Sequence, residues 1–457
     1  MMKKLLTAVL IFCWAIFYGQ SWITQNTGFT SPFRGISQIH VLDPSIVWAL
    51  ALDGSGSAGA AEVQEFTRTI NGGTTWIPGF IDIGFPAYSI NNIIPVTAST
   101  AWVSAIDLSL PAGSPTPGGI WKTTNAGVSW VRQNATAFIG GSSFINGVHF
   151  WNMTEGIAFG DPVAGNKIEC YRTIDGGTTW TSVTTVPNML TGEYNYNSGN
   201  VFIGNAIFLP TNKGKILRST DRGLTWLKLN GPAAITDFGA DAINGKIYFS
   251  DTSMGCILGT TDTGATYKLY TTSNGGISWI TPTTNFAGGF NRNLSYVPGT
   301  PTIVACGSLF TSPAVSGSSY SNNNGDTFTQ IDTGDQRGFV SMLNGSTGWC
   351  GGFNSVSSAG VSSGGIFKFS GALSNNSFTS AKKFTMSPNP TTGFINLSGT
   401  IPIDEVIIYD LLGKTVYKKA FNAVLSTMID INALQNGAYI VKVFSESGFE
   451  NIKIIKK

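Results

Sequence analysis

Charge is the scarcest property of this chain. Only 11% of its 457 residues are Asp, Glu, Lys or Arg, against about 25% in an ordinary soluble domain. The formal net charge is +2 and no basic stripe is clustered outside the last segment, so no nucleic-acid partner is expected. Histidine is nearly absent, with His40 and His149 the only two. The cysteines are not spaced as metal ligands, so no metal site and no cofactor is expected. After the first 19 residues no apolar run approaches ~20 residues, the length that crosses a bilayer, so no transmembrane segment is expected in the mature chain. Hydrophobic residues nevertheless make up 42%, enough for a full core in two or three domains.

The chain begins Met1-Met-Lys-Lys and continues into an apolar run from Leu5 to Phe17. A charged start before a short hydrophobic stretch is the pattern of a secretory signal peptide, here residues 1–19, with cleavage near Gly19 or Gln20. Cys13 lies inside that run without the small residue that precedes a lipidated cysteine, so no lipid anchor is expected. Cys170, Cys256, Cys306 and Cys350 remain. Export permits disulfides, and four cysteines allow three pairings. Cys306 and Cys350 occupy similar places in neighbouring repeats, but all four are expected as buried, unpaired thiols on inner strands.

Glycine is abundant, with 56 residues, and much of it sits in a recurring turn. The pattern Ser/Thr-x-Asp/Asn-x-Gly-x-Thr/Ser-aromatic occurs six times. Its key positions are Asn71, Gly73 and Trp76; Asn125, Gly127 and Trp130; Asp175, Gly177 and Trp180; Asp221, Gly223 and Trp226; Asn274, Gly276 and Trp279; and Asn323, Gly325 and Phe328. Successive aromatics are 54, 50, 46, 53 and 49 residues apart, a period that marks a propeller or a solenoid. An Asp or Asn side chain can bond backbone N–H groups within such a turn, and the glycine two residues on can take positive φ. Each turn joins an upstream strand to one opened by the aromatic, and about 50 residues leave room for two further strands. Four strands per unit is the content of a propeller blade.

Six turns accompany seven strand sets. The last set, near Thr329 to Phe369, supplies three strands, and the strand around Trp22 resembles one that follows a turn. The first strand is therefore expected to complete the last blade and close a ring of seven, with six or eight as alternatives. A further match, Thr260 to Tyr267, ends only 12 residues before Trp279 and is expected to be a loop. The fold expected is all-β: a seven-bladed β-propeller over residues 20–371, a polar linker at 372–384, and a small antiparallel β-sandwich of immunoglobulin-like type at 385–457.

The turns resemble the Asp-box, or BNR, repeats of sialidases, sortilin-type receptors and photosystem II assembly-factor-like propellers. That resemblance implies the fold and not an activity, because those families do unrelated things. In the tail, Ser387-Pro-Asn-Pro-Thr-Thr-Gly393, Ile407 to Gly413, Asn436 to Lys442 and Lys453-Ile-Ile-Lys-Lys457 closely resemble the type A C-terminal sorting domain of the type IX secretion system of Bacteroidetes. Pro388, Asn389, Pro390, Gly393, Gly413, Gly437, Lys453 and Lys457 carry that likeness. It implies the secretion translocon as a partner, passage through the outer membrane, removal of the tail, and release or attachment at the cell surface.

Four carboxylates, Asp53, Asp107, Asp161 and Asp251, are expected at or just past the ends of second strands, on the face opposite the boxes. Gathered there, they could hold a cation or sugar hydroxyls, or serve as glycosidase acid and base. Capping of their own loops is the commoner role of Asp in such places. The sialidase arginine signature is lacking: Phe33-Arg-Gly-Ile36 keeps only the arginine. Arg68, Arg172 and Arg218, before three of the boxes, are expected as solvent-facing rim residues. Inserts at Asp53 to Glu65, Ser109 to Gly119, Pro187 to Asn200 and Ser355 to Gly364 could recognise an unidentified protein or glycan. The function expected is binding or scaffolding at the cell surface, with a secreted glycoside hydrolase as the alternative.

Overall fold

The computed structural model describes residues 20–56, 62–107, 118–133, 137–139, 143–163, 166–239, 245–260, 267–281, 290, 293–307, 316–373, 384–410, 414–445 and 448–457. Residues 1–19, Gly413, residues 374–383, most of the Ser109–Gly119 insert, part of the Asp53–Glu65 insert, and the box-like stretch after Thr260 lie outside them. The chain divides into two compact units, Met1–Ser374 and Asn375–Lys457.

The described residues of the first unit form 27 strands. Strand β1 is Ser21–Asn26. Blade 1 follows as β2 (Arg34–Val41), β3 (Val47–Asp53), β4 (Glu65–Thr69) and β5 (Ile77–Phe80). Blade 2 is β6 (Tyr88–Pro95), β7 (Ala101–Asp107), β8 (Gly118–Thr123) and β9 (Val131–Arg132). Blade 3 is β10 (Ile145–Phe150), β11 (Gly156–Pro162), β12 (Ile168–Thr173) and β13 (Thr181–Ser182), and blade 4 is β14 (Val201–Ile203), β15 (Ala206–Pro210), β16 (Lys215–Ser219) and β17 (Leu227–Asn230). Blade 5 has β18 (Lys246–Phe249), β19 (Gly255–Thr260) and β20 (Tyr267–Thr272). Among the described residues its fourth strand is represented by one bridge, Thr271 to Ile280. Blade 6 is β21 (Asn293–Tyr296), β22 (Ile303–Gly307), β23 (Gly317–Ser321) and β24 (Thr329–Thr333). Blade 7 takes β25 (Val340–Asn344), β26 (Thr347–Val356) and β27 (Ser362–Ser370) from the end of the unit.

Its fourth strand is β1, which pairs antiparallel with β27 from Ser21 opposite Ser370 to Asn26 opposite Gly365. The first strand thus closes the last blade, and the ring has seven blades. Trp22 anchors the closure: its indole N–H donates to Ser318 Oγ at 2.8 Å and its ring meets Phe369 edge-on at 5.2 Å.

The core is divided among the spaces between blades. Second strands are buried along nearly their whole length, as in β7 (Ala-Trp-Val-Ser-Ala-Ile-Asp), because both faces of each sheet meet a neighbour. Between blades 1 and 2, Trp48, Leu50 and Phe66 pack against Ile93, Val103 and Trp121. Stacked rings bridge other interfaces, Trp102 on Phe150 and Phe208 on Phe249, each with centroids 3.7 Å apart. Such pairs add about 0.5–1.5 kcal/mol to the burial of their area.

The second unit is a five-stranded antiparallel β domain: β28 (Phe384–Ser387), β29 (Phe394–Tyr409), β30 (Thr415–Asp430), β31 (Gly437–Ser445) and β32 (Gly448–Lys456). The register of β29 breaks after Ser398. Its first half pairs with β28, its second half with β31, and β30 runs beside both. Ile395, Leu397, Val406, Ile408, Val441 and Ile454 form its closed core.

Candidate functional site

The six boxes satisfy their own polar groups. In the first, the Thr69 hydroxyl donates to Asn71 Oδ1 at 2.9 Å and accepts from Gly73 N at 2.9 Å, while Asn71 Oδ1 accepts from Thr75 N at 3.0 Å. The other five repeat this pattern. A backbone N–H of each box also bonds the turn between its blade's first and second strands, as Gly72 N does to Ser45 O at 2.9 Å and Gly275 N to Ser253 O at 2.7 Å. The boxes and those turns therefore share one face of the disc.

These turns also fasten one blade to the next. Trp76 Nε1 donates to Gln25 Oε1 of blade 7 at 3.0 Å, and Trp130 Nε1 to Phe80 O of blade 1 at 3.3 Å. Gly127 holds φ +86°, and a Cβ there would lie 2.2 Å from the Phe66 ring of blade 1. Its lack of a side chain serves packing between blades as well as the turn.

The cations before the boxes differ from expectation. Arg68 and Arg218 are partly buried, not solvent-facing, and join Lys122 and Lys368 in a repeated arrangement. Each stands opposite an aromatic on the second strand and over its ring: Arg68 on Trp48, Lys122 on Trp102, Arg218 on Phe208 and Lys368 on Trp349, at 4.7 to 5.9 Å. Their tips reach the following blade, as Lys368 Nζ does to Gly72 O at 2.9 Å and Arg68 Nη1 to Ala98 O at 3.4 Å. Burial pulls Arg68, Lys122 and Arg218 below their ordinary pKa. Arg172 instead pairs with Glu155 at 2.7 Å, which also holds Arg222 of the next blade. None is gathered into a carboxylate clamp.

The four aspartates do not share one mouth. Asp251 lies in the turn between β18 and β19, where its Oδ1 accepts from Ser253 N at 2.7 Å and Met254 N at 2.8 Å. Asp43 makes the same two bonds in blade 1. Asp251 therefore sits on the box side, because the strand preceding it is the first of its blade and not the second. Asp53 does end a second strand, and there it is held by Arg34 at 3.4 Å and by Ser55. The Ser55 hydroxyl and amide, with the Arg34 charge, hold its carboxyl below the usual value. Asp107 ends β7 and is buried.

Asp161, near the end of β11, differs. It borders a cavity of about 300 Å³ with Pro162, Asn166, Met189, Leu190, Glu193 and Tyr194. The wall opposite it is the Pro187–Asn200 insert, tied to blade 3 by Met189 N to Asn166 O at 2.6 Å and to blade 4 by Asn212 N to Tyr194 O at 3.1 Å. Burial raises the Asp161 carboxyl to about 6, against a 2.7 Å hydrogen bond from Asn146 Nδ2. That amide also donates to Asn195 O at 2.8 Å, joining the insert to the inner strand of blade 3.

Sequence reasoning passed over two contributors, Asn146 and Glu193. Amides on inner strands form a series: Gln38 Nε2 donates to Asn91 O at 2.8 Å, Asn91 Nδ2 to Ile145 O at 2.8 Å, and Asn92 Nδ2 to Val148 O at 2.6 Å. Asn146 ends that series, and amides recurring at inner-strand positions were its signal. Glu193 is a lone carboxylate within an insert, with no pattern to mark it. It is buried, accepting from Leu190 N at 2.7 Å, Lys228 Nζ at 3.0 Å and Thr211 Oγ1 at 2.8 Å. Burial opposes its charge, but these bonds together hold the carboxyl below its ordinary value.

In the second unit the tail motifs meet one another. Asn389 Nδ2 donates to Lys453 O at 2.8 Å and Asn389 Oδ1 accepts from Ile455 N at 3.0 Å. Thr391 N bonds Ile455 O at 2.9 Å and Lys457 N bonds Thr391 O at 2.9 Å. Pro388 and Pro390, both after cis peptide bonds, flank this clamp. A Cβ at Gly393 would lie 1.9 Å from Asn432 Oδ1, so a side chain there would displace the Asn432 amide. Gly437 opens β31.

Residues 385–457 match the model of a secretion system C-terminal sorting domain. The tail is a type IX secretion sorting domain that engages the secretion system, and the protein is secreted or attached to the outer-membrane surface. No curated protein sequence matches the chain. Among solved structures it is similar to YCF48 bound to D1 peptide, at 14% identity and TM-score 0.49, over 78% of this chain and 97% of that one. It is also similar to PorZ, a bacterial surface component of the type-IX secretion system of Porphyromonas gingivalis, at 9% and 0.35, over 92% and 70%. A Hadza microbial sialidase is similar at 13% and 0.36, over 78% of this chain and 65% of that one. Identities this low concern the fold and not activity. Among the described residues no helix is long and apolar enough to cross a membrane.

Proposed function

We propose that the propeller is a binding module delivered to the cell surface by its sorting tail, and that it takes a glycan at the cavity beside Asp161. The layout proposed with it is a signal peptide at 1–19, the propeller at 20–371, a linker at 372–384 and the sorting domain at 385–457. The cavity carries this reading. It lies on the face away from the boxes, where loops are free to vary, and its walls combine polar groups with the half-exposed Tyr194 and Leu190. An exposed phenol ring suits the apolar face of a sugar, and Asp161 and Asn166 suit its hydroxyls.

A second reading, a glycoside hydrolase, has one observation in its favour: a carboxyl raised to about 6 suits a general acid. Hydrolysis needs a second carboxylate as nucleophile or base. Glu193, the other acid lining the cavity, already accepts from an amide, a lysine and a threonine. Binding is therefore favoured over turnover. The test is a glycan array with matched hydrolysis assays on wild type, Asp161→Asn and Tyr194→Ala. Binding without turnover, lost in Tyr194→Ala and weakened several-fold in Asp161→Asn, is the expected result. Turnover abolished by Asp161→Asn would establish the hydrolase instead, and wild type inert towards all glycans would sink both readings.

A further inference from the structure

Two of the four cysteines of the propeller face each other. Cys306 lies on β22, the second strand of blade 6, and Cys350 on β26, the second strand of blade 7. Both are fully buried in the apolar core those blades share, among Val297, Val304, Val340 and Phe369. The Cys350 thiol is within hydrogen-bonding reach of Cys306. Cys170 belongs to the core between blades 3 and 4, and Cys256 to the core between blades 5 and 6, beside Tyr296. Of the six pairs that four cysteines allow, only Cys306 with Cys350 brings two thiols into one core.

We infer that Cys306 and Cys350 are joined by a disulfide in the exported protein, and that this bond staples blade 6 to the closing blade of the ring. Both are free thiols in the structure. The sorting tail places the mature chain outside the reducing cytosol, where disulfides form and persist. Oxidation breaks two S–H bonds and forms one S–S bond. Two protons leave, and two electrons pass to the disulfide of a thiol–disulfide exchange protein, which becomes a dithiol. Burial and the neighbouring Cys306 thiol hold the Cys350 thiol well above its ordinary pKa, and one nearby charge works the other way. Arg337 is buried, lies 3.9 Å over the Phe367 ring and pairs with Asp332 and Asp335, yet its Nη1 has no hydrogen-bond partner. Its charge favours the Cys350 thiolate over the thiol, against the effect of burial.

The bond would lie where closure is weakest. Blade 7 alone is assembled from both ends of the unit, so opening the ring begins by peeling β1 from β27. A covalent tie between blades 6 and 7 keeps the rest of blade 7 in place while β1 re-pairs, and it constrains the unfolded chain.

The test is a thiol count on the chain as secreted by a type IX-competent host, denatured at harvest in an alkylating reagent, with reactive thiols counted without and with prior reduction. Two reactive thiols before reduction and four after are expected. Non-reducing peptide mapping should join the peptide carrying Cys306 to the one carrying Cys350, and Cys170 and Cys256 should be alkylated. Four thiols before reduction, or a bond involving Cys170 or Cys256, overturns the proposal. The Cys306→Ala/Cys350→Ala chain should show two thiols with or without reductant, and any other count also overturns it.

Discussion

Asp161 and Asp175 are the same side chain put to opposite uses. In the third box, hydrogen bonds from the Thr179 hydroxyl and amide hold Asp175 down to about 2, so it is charged at any pH the cell meets. Burial beside the cavity lifts Asp161 to about 6. This has a consequence for stability with a definite sign. The folded-state pKa of Asp161 lies above its unfolded value of 3.8. Below about pH 4 both states hold the proton and the group contributes nothing. Between about 4 and 6 only the folded state holds it, so stability falls as pH rises, and above about 6 the whole cost of the buried charge is present. Asp161→Asn should therefore gain stability relative to wild type across that interval and keep the advantage at pH 7. Urea unfolding of both proteins at pH 4, 5, 6 and 7 measures the difference, and parallel curves would refute the shift. In sequence, the two residues are both loop aspartates. The box around Asp175 is legible because all its partners lie within four residues, whereas the neighbours of Asp161 come from the Pro187–Asn200 insert and from Asn146.

At the scale of elements, spacing revealed the hairpins but not how they are joined. Arg68 and Arg218, expected as rim cations, share with Lys122 and Lys368 an arrangement that no single strand shows. Once the sheet brings each over a second-strand aromatic, the aliphatic stem is covered and only the tip reaches out, to the next blade. Asp251 was misplaced for a related reason: in blade 5 the first strand is as apolar as the second, and the order of strands follows from pairing. Closure by β1, by contrast, followed from a count of strands and turns. Trp22 should bear much of it, with its indole hydrogen-bonded to Ser318 and packed on Phe369. Trp22→Ala is expected to cost about 3–5 kcal/mol. Chemical denaturation of the mature chain checks this, and a loss below about 1 kcal/mol would mean that the first strand is dispensable to the ring.

The molecule as a whole combines a self-closing ring with a sorting tail. The Asn389 clamp joins the Ser387–Gly393 motif to the last strand, so the two ends of the sorting motif form one structural unit. Deleting Gly393–Lys457 removes half of that unit and the strands between. The truncated chain is expected to be absent from the medium and the cell surface, with the propeller retained behind the outer membrane. Fractionation with an antibody to the propeller decides it: truncated protein in the medium at wild-type levels would remove the sorting role from the tail.

The amino-acid sequence by itself determined the repeat, the closure by the first strand, the seven-bladed ring and the sorting tail. Each of these is written in local patterns, such as a turn whose hydrogen bonds close within eight residues, strands of regular spacing, or a short motif. Only the tertiary structure decided which aspartates face the box side, which cations lie between blades, that Asp161 borders a cavity, and that Cys306 meets Cys350. These depend on residues far apart in the chain brought face to face across a blade interface. Sheet pairing and burial fix such meetings, and no periodicity along the chain records them.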